Sequence, residues 1–247
     1  MMYPTATLDL ATQLGPLRVY AEGTITRALQ DGQWWDDHLK PAIDSVQHGW
    51  AVDIGAHFGW FTAYLASRHE RVFACEPWPP SFALLQHNMQ HHWAGGLWPH
   101  HQGRVQCWPV AAYDSTAVLR FYQGNHPADA GSFAFTPEAP ELAAARVVGV
   151  RLDDYLPMGA PISLVKCDAQ GADLQALRGM VRTIQRCRPL IIFEWEEGLA
   201  QQQDTTWDDY LRFFGGLGYT VERITEDYWD FVARPKPSQW FVRRKVG

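Results

Sequence analysis

Two glycines four residues apart, Gly55 and Gly59, follow directly on the apolar run Trp50-Ala51-Val52-Asp53-Ile54 and lead into a helical pattern. A strand that stops at such a turn lays bare backbone against a ligand, and the amides opening the next helix point the same way. A second apolar run, Val72-Phe73-Ala74-Cys75, ends in Glu76. That is where a carboxylate can grip the two hydroxyls of a ribose. Strand, glycine turn, helix, strand and acid together make a nucleoside-binding half-fold. Two more acids close apolar runs further on, Asp168 after residues 162–167 and Glu194 after residues 189–193. Open α/β sheets take their ligands at the carboxyl ends of strands, so both acids should face the same crevice and could hold or accept a proton.

Positioning these groups requires alternating strands and helices. Phe58, Phe61 and Leu65 recur at helical spacing after the glycine turn, and Pro77, Pro79 and Pro80 stop the strand that ends at Glu76. Phe82, Leu85 and Met89 mark one face of a second helix, and residues 105–110 a third strand. This βαβαβ run predicts parallel strands with right-handed crossovers. Residues 113–150 break the rhythm: 118–122 and 147–152 look like strands, and 124–140 are rich in Gly, Pro and Ala. They read as an insertion, a hairpin with a loop over the site. Leu174, Leu177, Val181 and Ile184 predict an amphipathic helix, and Thr206 an N-cap with Asp209 at its third position. Residues 219–224 and 239–243 read as final strands, joined without a helix and therefore able to pair antiparallel. Residues 1–48 form a preface packing on the core, with a strand at 17–20 and a helical stretch at 34–46. The expectation is one α/β domain over 49–247, a Rossmann-like seven-stranded, mostly parallel sheet with one antiparallel strand and helices on both faces.

The chain has 247 residues, 47% hydrophobic and 19% charged, which suits one large core rather than extended disorder. Its net charge of −6 disfavours a nucleic-acid partner. No apolar segment is long enough to span a bilayer and the amino terminus lacks a signal pattern, so the expected setting is cytoplasmic without a membrane partner. Four widely spaced cysteines, with no C-x-x-C pair, read as reduced thiols. His87, His91, His92, His100 and His101 invite a zinc reading, but no Cys or carboxylate set stands at ligand spacing beside them. Among twelve tryptophans, Trp60, Trp78 and Trp195 follow strand ends on the ligand side and could wall a pocket. Oligomeric state is left open, a homodimer being compatible.

Four blocks in this order resemble the FkbM-type methyltransferases, class I S-adenosylmethionine-dependent enzymes that mostly methylate hydroxyl oxygens of small molecules and glycans. They are Val52-Asp53-Ile54-Gly55-Ala56-His57-Phe58-Gly59; Cys75-Glu76-Pro77 with Leu84, Leu85 and Asn88; Pro109-Val110-Ala111-Ala112-Tyr113-Asp114; and Leu152-Asp153-Asp154-Tyr155-Leu156 followed by Lys166-Cys167-Asp168-Ala169-Gln170-Gly171-Ala172-Asp173-Leu174 and residues 189–194. The last block is the most selective. The family usually carries an acid where Gln170 stands and a glutamate where Asp173 stands. Gln170 is therefore expected to shape the turn or read the substrate.

The resemblance implies S-adenosylmethionine as cofactor, S-adenosylhomocysteine as product, and O-methylation of a small-molecule or saccharide acceptor. Asp53, Gly55, Ala56, His57, Gly59, Trp60, Glu76, Pro77, Trp78, Ala111, Ala112 and Asp168 would hold the cofactor. Asp53 would serve the methionine end, Glu76 the ribose and the two alanines the adenine. Asp168, Glu194 and His57 are the catalytic candidates, Asp168 foremost. Each has a plain structural alternative: Asp168 could pair with Lys166 or bind turn amides, Glu194 could merely cap its strand end, and His57 could simply fill the loop. Asp168 and Glu194 could also share a divalent metal, though nothing else in the spacing demands one. The competing functions are an S-adenosylmethionine-binding protein without turnover and an NAD-dependent oxidoreductase. The second wants G-x-G-x-x-G, a spacing that Gly55 and Gly59 do not give.

Overall fold

The structure, a computed structural model, describes residues 6–94, 104–123, 133–135 and 145–237. The chain opens with a hairpin, β1 (Thr7–Thr12) and β2 (Gly15–Tyr20), then α1 (Thr24–Gln30) and α2 (Lys40–Asp44). The alternating core follows as β3 (Trp50–Ile54), α3 (Trp60–Ala66), β4 (Arg71–Cys75), α4 (Pro79–Ala94) and β5 (Val105–Trp108). Next come four short strands, β6 (Ala111–Ala112), β7 (Ala117–Gln123), β8 (Phe133–Phe135) and β9 (Ala145–Val150). The remainder is β10 (Ile162–Cys167), α5 (Asp173–Arg178), α6 (Val181–Cys187), β11 (Leu190–Glu194), α7 (Glu197–Gln201), α8 (Trp207–Gly216), β12 (Tyr219–Arg223) and β13 (Asp230–Pro235).

Seven strands form the main sheet in the order β12-β13-β11-β10-β3-β4-β5. Neighbours from β11 to β5 are parallel, and β13 runs antiparallel to both β11 and β12. This is the Rossmann-like sheet with one reversed strand that the alternation predicts. Central strands are apolar on both faces because both are covered, as parallel sheets require. Val52, Ile54, Val165, Cys167, Ile191 and Phe193 pack with residues of α5, α6 and α8. Ala51, Leu164 and Ile192 pack on the other side with α2, α3 and the N-terminal hairpin.

Register fixes where the acids stand. Lys166 pairs with Asp53, Cys167 with both Ile54 and Phe193, and Glu194 with Asp230. Asp168, Glu194 and Asp230 therefore lie along one edge of the sheet on neighbouring strands, at the roughly 4.8 Å strand spacing.

The region after β5 builds a second sheet in the order β6-β9-β7-β8. The rest of the loop expected at 124–140, apart from β8, lies outside the described residues. Three local readings change. The helix expected over 34–46 is a short 3-10 turn at Asp37–Leu39 followed by α2, because Asp36 is left-handed (φ 50°) and Pro41 opens the helix at its first turn. The single helix through 174–184 is split into α5 and α6. Gly179 lies at the break, where a Cβ would come within 2.0 Å of the Tyr113 carbonyl oxygen. The last described strand is β13, earlier than the 239–243 expected, and that segment lies outside the described residues. The predicted cap of α8 is present: the Asp209 carboxylate accepts the Thr206 N–H at 2.9 Å and its hydroxyl at 2.6 Å. No helix among the described residues is long and apolar enough to cross a membrane.

Candidate active site

At the tips of β3 and β4 the glycine turn is drawn tight. The Gly55 and Ala56 N–H groups both donate to the Cys75 carbonyl at 3.0 Å. Gly55 has φ 76°, and a Cβ there would lie 1.9 Å from the Asp168 carbonyl oxygen. Only a residue without a side chain fits. Gly59 (φ 95°) opens α3, and its missing Cβ leaves room for Leu85 and Met89 of α4. His57 between them is also left-handed, at φ 53°.

Glu76 forks between this turn and the start of α4. Its Oε2 accepts the His57 N–H and its Oε1 the Trp78 N–H, each at 2.8 Å. The residue is only 6% exposed. Burial pushes its carboxyl up to about 7, against the pull of the two amides and with a further push from Asp168 and Asp53. Each ionised oxygen keeps a lone pair beyond its amide bond, and two such acceptors side by side match a vicinal diol.

Behind the turn lies a charge chain inside the sheet. Asp53 is fully buried; its Oδ2 accepts the Thr62 hydroxyl at 2.6 Å, and its Oδ1 has no hydrogen-bond donor among the described residues. Lys166, next to it in register, places Nζ 3.9 Å from that oxygen and 3.1 Å from Asp168 Oδ2. Burial works against the ammonium but is outweighed by Asp168 and Asp53, so Lys166 is held charged. Asp168, with a third of its side chain exposed, faces a small open crevice. The glycine turn, Phe61 and Lys166 form its floor, and Ile25 and Trp35 overhang it from the N-terminal segment. That overhang is anchored: Trp60 Nε1 donates to the Trp35 carbonyl at 3.3 Å, and Trp34 packs on Trp60 and Tyr64.

On the far side of Asp168 the sheet edge is acidic. Gln170 Nε2 donates to Asp168 Oδ1 at 2.9 Å and to Glu194 Oε2 at 3.2 Å. Next along the edge, Asp230 Oδ2 meets His38 Nε2 at 2.7 Å, and the His38 ring stacks on Tyr228 at 3.9 Å. Asp36 joins the same field. Burial raises it to about 7, helped by Asp230 and Asp168 and opposed by His38 and Lys166. Asp173 sits beneath the 168–171 turn, its Oδ2 accepting the Ala169 N–H at 3.2 Å, and burial with Asp168 nearby lifts it to about 8.

The structure thus gathers Asp53, Gly55, Ala56, His57, Gly59, Glu76 and Asp168 around one edge, with Glu194 one strand further on. The His57 ring stacks on Tyr20 with centroids 5.5 Å apart while its backbone serves Glu76. Pro77 is half-buried and Trp78 buried beside the fork. Ala111 packs with Trp78, Val147 and Ala172, and Ala112 in the core of the other face; neither lines the crevice over Asp168. Trp195 packs on Trp207 and Phe231 next to Glu194. Gln170, expected to shape the turn or read substrate, ties two acids together. Asp36, His38 and Asp230 were not anticipated. Asp36 and His38 stand in a segment that reads as helix, and Asp230 in one that reads as a loop. No group of three or more His, Cys, Asp or Glu among the described residues is arranged to hold a metal ion.

A mostly parallel seven-stranded sheet with one reversed strand, a glycine turn after β3 and an acid after β4 define the Rossmann-like fold of class I methyltransferases. A family model described as the methyltransferase FkbM domain matches residues 53–221, more than half of the chain, and the chain belongs to that family. A curated relative, "Methyltransferase 1" of Beauveria bassiana (strain ARSEF 2860), is 28% identical over 149 residues, covering 52% of this chain and 57% of its own. The crystal structure of a methyltransferase FkbM from Methylobacillus flagellatus KT superposes with a TM-score of 0.52 at 19% identity, over 76% of this chain and 43% of that one. The chain therefore spans about half the length of the relatives it matches.

Proposed function

We propose that the protein binds S-adenosylmethionine and transfers its methyl group to a hydroxyl oxygen of a small molecule or saccharide. The observation that carries this reading is the Glu76 fork: a buried carboxylate fixed by two backbone amides, with acceptor capacity left for a ribose diol, beside a turn where a side chain at Gly55 would not fit. The residues suit the group. When bound, it supplies an electrophilic methyl on a positively charged sulfur, so the protein need only align the acceptor, remove a proton and exclude water. Glu76 would hold the sugar, and the bare backbone of the 55–59 turn, with Asp53 behind it, would lie against the amino-acid end. Lys166 keeps Asp168 ionised at the crevice wall, where it can orient the acceptor hydroxyl and take its proton. Ile25 and Trp35 line the same crevice from the N-terminal segment. We place the protein in the cytoplasm, acting on a small-molecule or saccharide acceptor rather than on nucleic acid or at a membrane.

Thermal-shift titration with S-adenosylmethionine, S-adenosylhomocysteine and NAD tests the first step. Stabilisation by the first two and not by NAD is the expected result, and the reverse would end the proposal. A panel of glycosides, phenols and alcohols with radiolabelled methyl donor tests the second. A second reading, binding without turnover, draws on the two hydrogen bonds that already occupy Asp168. Cofactor binding with no methyl incorporated anywhere in the panel would favour it.

A further inference from the structure

The turn after β10 contains a residue whose conformation and contacts ask for a reason. Gln170 is left-handed at φ 50°, which a side chain adopts only where the surroundings impose it. Gly171 follows at φ 93°, and a Cβ there would come within 2.5 Å of the Leu199 carbonyl oxygen. The backbone of this turn is clamped against α7, and the Gln170 side chain reaches the sheet edge between β10 and β11. There its amide nitrogen meets one oxygen of Asp168 and one of Glu194. A primary amide carries two N–H hydrogens, enough to serve both acids.

We propose that Gln170 is a positioning residue for methyl transfer, its amide standing between Asp168 and Glu194 where paired carboxylates otherwise gather a divalent cation. The proposal rests on the methyl-transfer reading above. Acids one strand apart repel unless a cation, a proton or a donor comes between them. Here the donor is neutral, and the two acids part company. Asp168 also receives the Lys166 ammonium on its other oxygen. Burial alone would raise Asp168, but Lys166 and the Gln170 amide outweigh it and hold the acid below the usual range. Among the described residues no ammonium pairs with Glu194. Burial, then Asp168, Asp173, Asp230 and Glu196, push it well above the usual range. The two neighbouring acids are thus pushed in opposite directions, the kind of separation that fits one of them to accept a proton more readily than the other. The other groups in this field are Asp53 within the sheet, His57 on the glycine turn, and Asp36 and His38 on the overhang. None of them stands between the two acids.

The amide predicts how the site answers substitution. Gln170→Glu keeps the shape but replaces the amide nitrogen and its two donor hydrogens by an acceptor oxygen, making three adjacent carboxylates. Gln170→Leu removes the polar bridge and adds no charge. The experiment follows the side-chain carboxyl carbons of Asp168 and Glu194 by NMR titration, and manganese(II) binding by electron paramagnetic resonance, with and without S-adenosylhomocysteine. In both variants the Asp168 midpoint should rise by about 1–3 units. Manganese affinity should increase about tenfold or more in Gln170→Glu alone, as an added carboxylate favours a hard cation. Unmoved midpoints in a folded Gln170→Glu protein would overturn the proposal, as would wild-type manganese binding as tight as that variant's. Thermal melting identifies a Gln170→Leu protein that fails to fold, and Gln170→Glu then decides. Neither readout needs an acceptor, so a blank hydroxyl panel would count against the proposed function while these shifts still judged Gln170. Where an acceptor is found, the pH profile of kcat should move with the Asp168 midpoint while KM for the methyl donor holds.

Discussion

At the tips of β3 and β4 an acid is held by main-chain N–H groups, whereas at the tips of β10, β11 and β13 acids are held by side chains. Glu76 receives its hydrogen bonds from the backbone of His57 and Trp78. Asp168, Glu194 and Asp230 receive theirs from Lys166, Gln170 and His38. Main-chain donors move only if the turn moves, so the first region is a rigid socket suited to an invariant ligand part. Side-chain donors can be exchanged one at a time without rebuilding the fold. The second region is where relatives with the same sheet can differ in acceptor and in proton chemistry.

Four changes would break or sharpen that contrast. Asp168→Asn acts on the side-chain region and should lower turnover by about 10²–10⁴-fold. Affinity for S-adenosylhomocysteine should change little, and full activity with the best acceptor would move the proton-accepting group elsewhere. Gly55→Ala acts on the socket. A methyl group 1.9 Å from the Asp168 carbonyl oxygen, at a positive φ, should cost about 3 kcal/mol or more of stability in denaturant melts. A melt like that of the wild type would show the turn to be adaptable rather than rigid.

Glu76→Ala should weaken S-adenosylmethionine binding by about 1–3 kcal/mol by calorimetry. Because burial sets Glu76 near 7, wild-type affinity should improve as pH rises through that value and both oxygens become acceptors. The alanine variant should lose that dependence; retention of it would assign the titration to another group. The fourth effect is read as a slope. Asp173 lies at about 8 in the folded protein and near 3.8 in an unfolded chain. Between those values the folded state holds a proton that the unfolded state has lost. Stability should therefore fall as pH rises from about 4 to about 8, by at most about 1.4 kcal/mol per pH unit from this group. Asp173→Asn should flatten that decline in urea melts at several pH values, and an unchanged slope would remove Asp173 as its source.

The same contrast explains what the sequence alone discloses. The socket is written in short contiguous pieces, residues 52–59 and 75–78, because turn geometry and strand ends are local properties. The central strands are legible for a related reason: uninterrupted apolar runs such as Ile191-Ile192-Phe193 suit only a strand covered on both faces. The acidic edge is assembled from residues 36, 38, 168, 170, 194 and 230. Nothing near Asp36 or His38 in the chain announces β13, whose Asp230 they meet. The split between α5 and α6 is similarly hidden, since its cause is the distant Tyr113 carbonyl packed on Gly179. Gln170 was visible as an unusual residue in its block, but its partner Glu194 lies across a strand boundary.

Because Gly55 presses its bare α-carbon against the peptide oxygen of Asp168, the socket and the acidic edge share a single mechanical joint. A nucleoside that shifts the glycine turn even slightly must carry that peptide with it and re-aim the carboxylate it bears. Filling one half of the crevice would then be felt in the other, and by the same joint the reverse would hold.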